Sequence, residues 1–126
     1  MKEREFIDRC VVAIGVPYST LTSQVFCDCI ERYMELKGYK YNYTRVVMED
    51  IYEEMAERYD ITPDRARKYC YKSIDIAYKR TKFKDFYKSF YVCDIEIKPS
   101  VKEFCELMVL KYKYEVLGNE SKGINI

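Results

Sequence analysis

The fold is decided by residues 48–78, which read MEDIYEEMAERYDITPDRARKYCYKSIDIAY. Apolar side chains recur in the first part of this stretch with the spacing of one helix face, at Met48, Ile51, Tyr52, Met55, Ala56 and Tyr59. Thr62-Pro63 then has the form of an N-cap followed by proline at the first helical position. We therefore expect a helix, a short turn at Asp60-Ile61, and another helix over about residues 63–79. The inward positions of that helix are Ala66, Cys70, Ser73, Ile74, Ala77 and Tyr78.

Two further helices are expected before this stretch. The first spans about residues 3–14, because Pro17 disfavours helical geometry at the residue before it. The second is expected to begin after a cap at Ser19 or Thr20 and to end near residue 37, just before Gly38.

Helical patterns also continue after Gly38. Thr44 is expected to cap the helix that contains Met48, and Ser100 with Glu103 has the form of a capping box that opens the last helix. Residues 83–90 predict one or two helical turns, and residues 91–97 predict a loop. The sequence thus predicts an all-α single domain of about six helices over residues 1–117, with a flexible tail at 118–126.

The six cysteines are Cys10, Cys27, Cys29, Cys70, Cys93 and Cys105. Zinc and disulfides are the alternatives to a role in the core. However, the closest pair is separated by a single residue and the chain has no histidine, whereas structural zinc sites use wider C-x₂₋₄-C pairs. Most of the cysteines also lie at apolar helix positions, where the thiol acts as a small hydrophobic group. We therefore expect buried free cysteines and no metal site.

The composition argues against an enzyme and against a membrane protein. Without histidine, a Ser-His or Cys-His nucleophile cannot be assembled, and the four glycines are too isolated for a phosphate-binding loop. No apolar run approaches the length of a membrane span, and the charged start does not resemble a signal peptide. We expect a cytoplasmic, non-enzymatic protein without a cofactor.

The net charge of +1 conceals a strong local asymmetry. Residues 64–88 contain nine basic and three acidic side chains, which is the basic footprint of a nucleic-acid-binding surface. Two helices joined by a turn of about four residues also have the form of a helix-turn-helix. The candidate DNA-binding residues are Thr62, Arg65, Arg67, Lys68, Tyr71, Lys72, Lys79, Arg80 and Lys82. A merely solvated basic face is the alternative, and the acidic outer side of the preceding helix counts against contact with phosphates.

The outward side chains in the N-terminal half of the 63–79 helix have suitable chemistry for reading DNA. Arg67 has the geometry to donate two hydrogen bonds to guanine, and Tyr71 can contact a thymine methyl group or a phosphate. The free amides at the helix start, beside the Thr62 hydroxyl, can bind a phosphate.

Several short motifs, in order and with similar spacing, resemble the C-terminal effector domain of the stage-zero sporulation response regulator family. They are Ile14-Gly15-Val16-Pro17, Ile51-Tyr52 with Tyr59-Asp60, Thr62 with Arg65, Ile74-Asp75-Ile76-Ala77-Tyr78, and Lys98-Pro99-Ser100 with Glu103-Phe104. The resemblance covers about residues 6–114, with a loop near residues 38–45 that is about four residues longer.

This resemblance implies a domain of about six helices that binds TGTCGAA-like boxes in double-stranded DNA, often as tandem copies. It also implies contact with an RNA polymerase sigma factor. The base-reading positions of the family fall on Arg67, Lys68, Tyr71 and Lys72, which keep only the basic character of the family's acid, arginine and histidine pattern. Full-length members carry a phosphorylated receiver domain in front, and we expect this chain to act without one.

Overall fold

The computed structural model describes residues 2–39, 44–80 and 98–118, and all their regular secondary structure is helical. The helices are α1 (Glu3–Ala13), α2 (Leu21–Lys37), α3 (Met48–Tyr59), α4 (Pro63–Tyr78) and α5 (Val101–Tyr112), which continues as a π-helix (Lys113–Leu117). The all-α prediction is confirmed for these residues. The turns expected at 83–90, the loop at 91–97 and nearly all of the tail lie outside them, so the expected number of six helices is not established.

Helix α2 lies at the centre of the molecule and packs against each of the other four helices. Its residues 25–30 are buried without a break. A helix that is buried on all sides belongs to the core, whereas a surface helix buries only one stripe. Phe26 of α2 meets Phe104 of α5 with their ring centres 5.5 Å apart. This contact joins α2 to the last described α-helix across the core.

Three of the five described helices, α2, α4 and α5, begin at side-chain caps that the sequence indicates. Thr20 caps α2, as one of the two predicted candidates, and Ser100 forms the predicted capping box with Glu103. Each hydroxyl accepts a hydrogen bond from a backbone amide three residues later at 3.1 Å. Thr44 does not cap α3, which begins at Met48 after Val47 without a side-chain cap. Val46 is buried, and this anchor holds the chain in a non-helical path until Val47. The predicted cap at Thr44 was therefore wrong.

A buried carboxylate joins three helices in a way that the sequence does not reveal. Asp28 of α2 accepts hydrogen bonds from Arg4 of α1 and from Arg58 (3.1 Å) and Tyr59 of α3. Burial alone would raise the pKa of Asp28, but the hydrogen bonds from Tyr59, Arg4 and Arg58 lower it overall. The network fixes α3 against the helices beneath it.

The cysteines within the described residues are free and buried, as expected: Cys10, Cys27, Cys29, Cys70 and Cys105. Burial raises the pKa of Cys10 and of Cys27 to about 12, which keeps both thiols protonated at neutral pH. Cys93 lies outside the described residues. Within the described ranges, no cluster of three or more potential metal ligands occurs, and no helix is both long and apolar enough to cross a membrane.

Candidate nucleic-acid interface

The connection between α3 and α4 is a tight turn of three residues, 60–62. Asp60 adopts the left-handed conformation (φ 53°, ψ 50°), and the Ile61 amide donates to the Ala56 carbonyl at 3.0 Å. A left-handed residue followed by a bond back across five residues is the Schellman ending of a helix. Thr62 is then extended, and its hydroxyl accepts from the Arg65 amide at 3.1 Å. Both helix ends are thus satisfied locally, which defines the path of the chain from α3 into α4.

Helix α4 has one face fixed in the core. It packs against α2, α3 and α5. Its buried residues are Ala66, Cys70, Ser73, Ile74 and Ala77. Tyr78, which the sequence placed inward, is only partly buried. Because these positions lie on one side of the helix, the intervening side chains must point to the opposite, solvent-facing side.

The outward positions include the residues that the sequence proposes for DNA contact. Arg65, Arg67, Lys68, Tyr71 and Lys72 together are called the cationic face of α4. Arg67 is half-buried, whereas the other four are exposed. Thr62, Lys79 and Arg80 are exposed at the two ends of the helix. Lys82 lies outside the described residues.

Asp64 organises the first turns of the cationic face. Its carboxylate accepts a hydrogen bond from Arg67 Nη2 and lies 3.1 Å from Lys68 Nζ. The hydrogen bond from Lys68, reinforced by the one from Arg67, lowers the pKa of Asp64. The Arg67 guanidinium also lies over the ring of Tyr71, 6.0 Å from its centre. Asp64 and Tyr71 therefore hold the Arg67 guanidinium from two sides. The Nε atom of Arg67 is buried and has no hydrogen-bond partner among the described residues.

A groove beside Tyr71 extends the surface toward α5. Its volume is about 300 Å³, and its lining includes Tyr71, Asp75 and Lys98. Lys98 forms an ion pair with Asp75 across this groove. The sequence marks Lys98 only as part of the segment before the last helix, since nothing in its local pattern indicates contact with a residue 23 positions earlier.

The outer side of α3 carries the opposite charge. Its acidic residues, together called the acidic face of α3, are Glu49, Asp50, Glu53, Glu54 and Glu57. An open concavity of about 910 Å³ runs along this face to Asp60 and Pro63. The sign of the surface charge thus changes across the 60–62 turn.

No family model, no curated protein and no solved structure matches this chain. The family resemblance stays a prediction that rests on the motifs quoted above.

Proposed function

We propose that this protein is a sequence-specific DNA-binding transcription regulator. In this proposal α3 and α4 form a helix-turn-helix, and α4 lies in the major groove, as in the effector domain of the sporulation response regulator family. The supporting observation is the cationic face of α4, which is exposed on a helix whose other face is buried. A recognition helix needs this combination, because its backbone must be rigid while its outer side chains reach the bases.

The dimensions of α4 suit this role. Its 16 residues correspond to a length of about 24 Å, and a major groove about 12 Å wide accepts one helix. The N-terminal half of a recognition helix reaches the base edges. Arg67 and Lys68 lie in that half, and Tyr71 follows directly after it. Lys79 and Arg80 lie at the other end, where phosphate contacts would add affinity without base preference.

The test is a titration of fluorescent duplexes with the purified protein, first of random sequence at low salt and then with family-type boxes. We expect binding whose affinity falls linearly on a log–log plot against salt, because released counterions drive contact with phosphates. The control variant is Arg9→Ala, which removes one positive charge from α1, at a position outside the cationic face of α4. Failure to bind any duplex at low salt would refute the proposal.

The acidic face of α3 favours a second candidate, a protein-interaction module that shares the fold but does not bind DNA. A concavity lined by carboxylates would repel phosphates and attract a basic protein segment. The same titration separates the two candidates, since only the first predicts retention of duplexes at low salt.

The resemblance extends the proposal to partners. We include contact with an RNA polymerase sigma factor, pairing of two copies on tandem DNA sites, and a cytoplasmic location. Sedimentation of the protein with duplexes that carry one or two boxes would show whether a second copy joins the complex.

A further inference from the structure

We propose that Asp64 is a specificity-determining residue of this interface. It would hold Arg67 in place for guanine and would itself accept a hydrogen bond from the amino group of a nearby cytosine. This inference rests on the proposed function and adds the chemistry of the bases that are read. It starts from the position of Asp64 as the only acidic residue in the N-terminal half of α4.

Asp64 restricts the movement of the arginine beside it. A free arginine side chain at a surface samples many rotamers, and ordering it on binding costs conformational entropy. Here the Asp64 carboxylate engages Arg67 Nη2, and the Tyr71 ring lies against the same guanidinium. Nε is buried, so the N–H groups left for a ligand are those of Nη1 and the second N–H of Nη2. A pair of donors from these two nitrogens matches the two acceptors, O6 and N7, that guanine presents in the major groove.

The Asp64 carboxylate also has capacity for a further hydrogen bond. An ionised carboxylate accepts about four hydrogen bonds, and here Arg67 and Lys68 each engage one oxygen. Asp64 is half-exposed, so it is open to a partner from outside. In the major groove, the cytosine N4 amino group is the donor typically read by an acidic side chain. Asp64 and Arg67 together therefore match a site that contains G·C pairs.

The unfavourable effect of the Asp64 carboxylate on phosphate binding supports its role at the bases. A carboxylate near the DNA backbone repels phosphates and offsets part of the attraction of Arg67 and Lys68. A residue that weakens general attraction while contacting base donors should increase preference and lower overall affinity. Removing the charge of Asp64 should therefore raise the overall affinity for DNA and lower the base preference.

The experiment measures affinity and base preference of the whole protein and its Asp64→Asn variant. The ligands are a duplex selected for wild-type binding and all its single-pair substitutions, at fixed salt. For Asp64→Asn we expect affinity for arbitrary duplexes to rise about threefold. Preference at a G·C position should fall from about tenfold or more to below about threefold.

The matched control is Asp75→Asn, which removes the same charge from the same helix outside its N-terminal half. It should raise affinity for all duplexes alike and leave the preference unchanged. If Asp64→Asn does not fold, Asp64→Glu keeps the charge but shifts the carboxylate, and should also lose preference.

The outcomes separate this inference from the proposed function. A wild-type protein that binds no duplex at low salt refutes both. Wild-type binding without any base preference, or preference that survives in a folded Asp64 variant, overturns the role of Asp64 and leaves DNA binding intact.

Discussion

The helices on either side of the 60–62 turn present opposite charges to solvent although they pack in the same way. Helix α3 buries Ile51, Tyr52, Met55 and Ala56, and α4 buries Ala66, Cys70, Ser73, Ile74 and Ala77. Outside this shared core, α3 carries a row of carboxylates and α4 carries the cationic face. The core constrains only the inward stripe of each helix, which leaves the outer stripes available for function.

The single basic residue of α3 strengthens this contrast. Arg58 donates to the buried Asp28 carboxylate, so its charge is engaged in holding α3 to α2. Arg58 is therefore directed toward Asp28 rather than toward the carboxylates of the acidic face of α3. On α4, Lys68 also pairs with the carboxylate of Asp64, whereas Lys72 is exposed.

The largest expected effect comes from reversing the charge of α4. The double variant Lys68→Glu, Lys72→Glu should bind duplex DNA at least about 100-fold more weakly, because attraction to phosphates becomes repulsion. Anisotropy titration at low salt measures this loss. Since both side chains are exposed, the melting temperature should change by only a few degrees.

The matched control reverses two charges on α3 with Glu53→Lys and Glu57→Lys. Its affinity for DNA should stay equal or rise. If the α3 variant lost binding while the α4 variant kept it, the functional surface would be α3 rather than α4.

An intermediate effect is expected from the carboxylate beneath α3. Asp28→Asn should lower the free energy of unfolding by about 3 kcal/mol at pH 7, because Arg4 and Arg58 lose their charged acceptor. Urea unfolding measures this change. Glu53→Gln, an exposed carboxylate on the same α3, should change stability by less than about 0.5 kcal/mol.

The stabilising contribution of the Asp28 carboxylate should decrease as the pH falls. Its folded pKa is lowered, so its stabilising contribution is complete above the ordinary aspartate pKa of about 3.9. It is lost as the pH falls through the lower folded pKa, because the unfolded chain takes up the proton first. The difference in the free energy of unfolding between wild type and Asp28→Asn should therefore shrink below about pH 4. A difference that stays constant down to pH 2 would contradict this account.

These residues also show which features a sequence can predict. Local signals succeeded: the caps at Thr20, Thr62 and Ser100 depend on residues three positions away, and helix stripes repeat every three or four residues. The predicted cap at Thr44 was wrong because the burial of Val46, a tertiary contact, decides where α3 begins.

The ion pairs between distant segments could not be predicted for the same reason. Asp28 and Arg58 are 30 positions apart, and nothing in either local pattern indicates the other. For the candidate site, the sequence predicted which residues of α4 point outward. It could not predict that Asp64 and Tyr71 both hold Arg67, because several rotamers of each side chain fit the same helix.

The smallest expected effect concerns the turn that separates the two charged faces. Asp60 adopts the left-handed conformation, which costs a residue with a side chain more than it costs glycine. Asp60→Gly should therefore raise the free energy of unfolding by up to about 1 kcal/mol, partly offset by the greater freedom of glycine in the unfolded chain. Asp60→Ala removes the same carboxylate from the acidic concavity but keeps a Cβ, and should lower stability instead. Urea unfolding of the three proteins gives this order directly. Equal stability of the glycine and alanine variants would show that the left-handed turn does not control how α3 leads into α4.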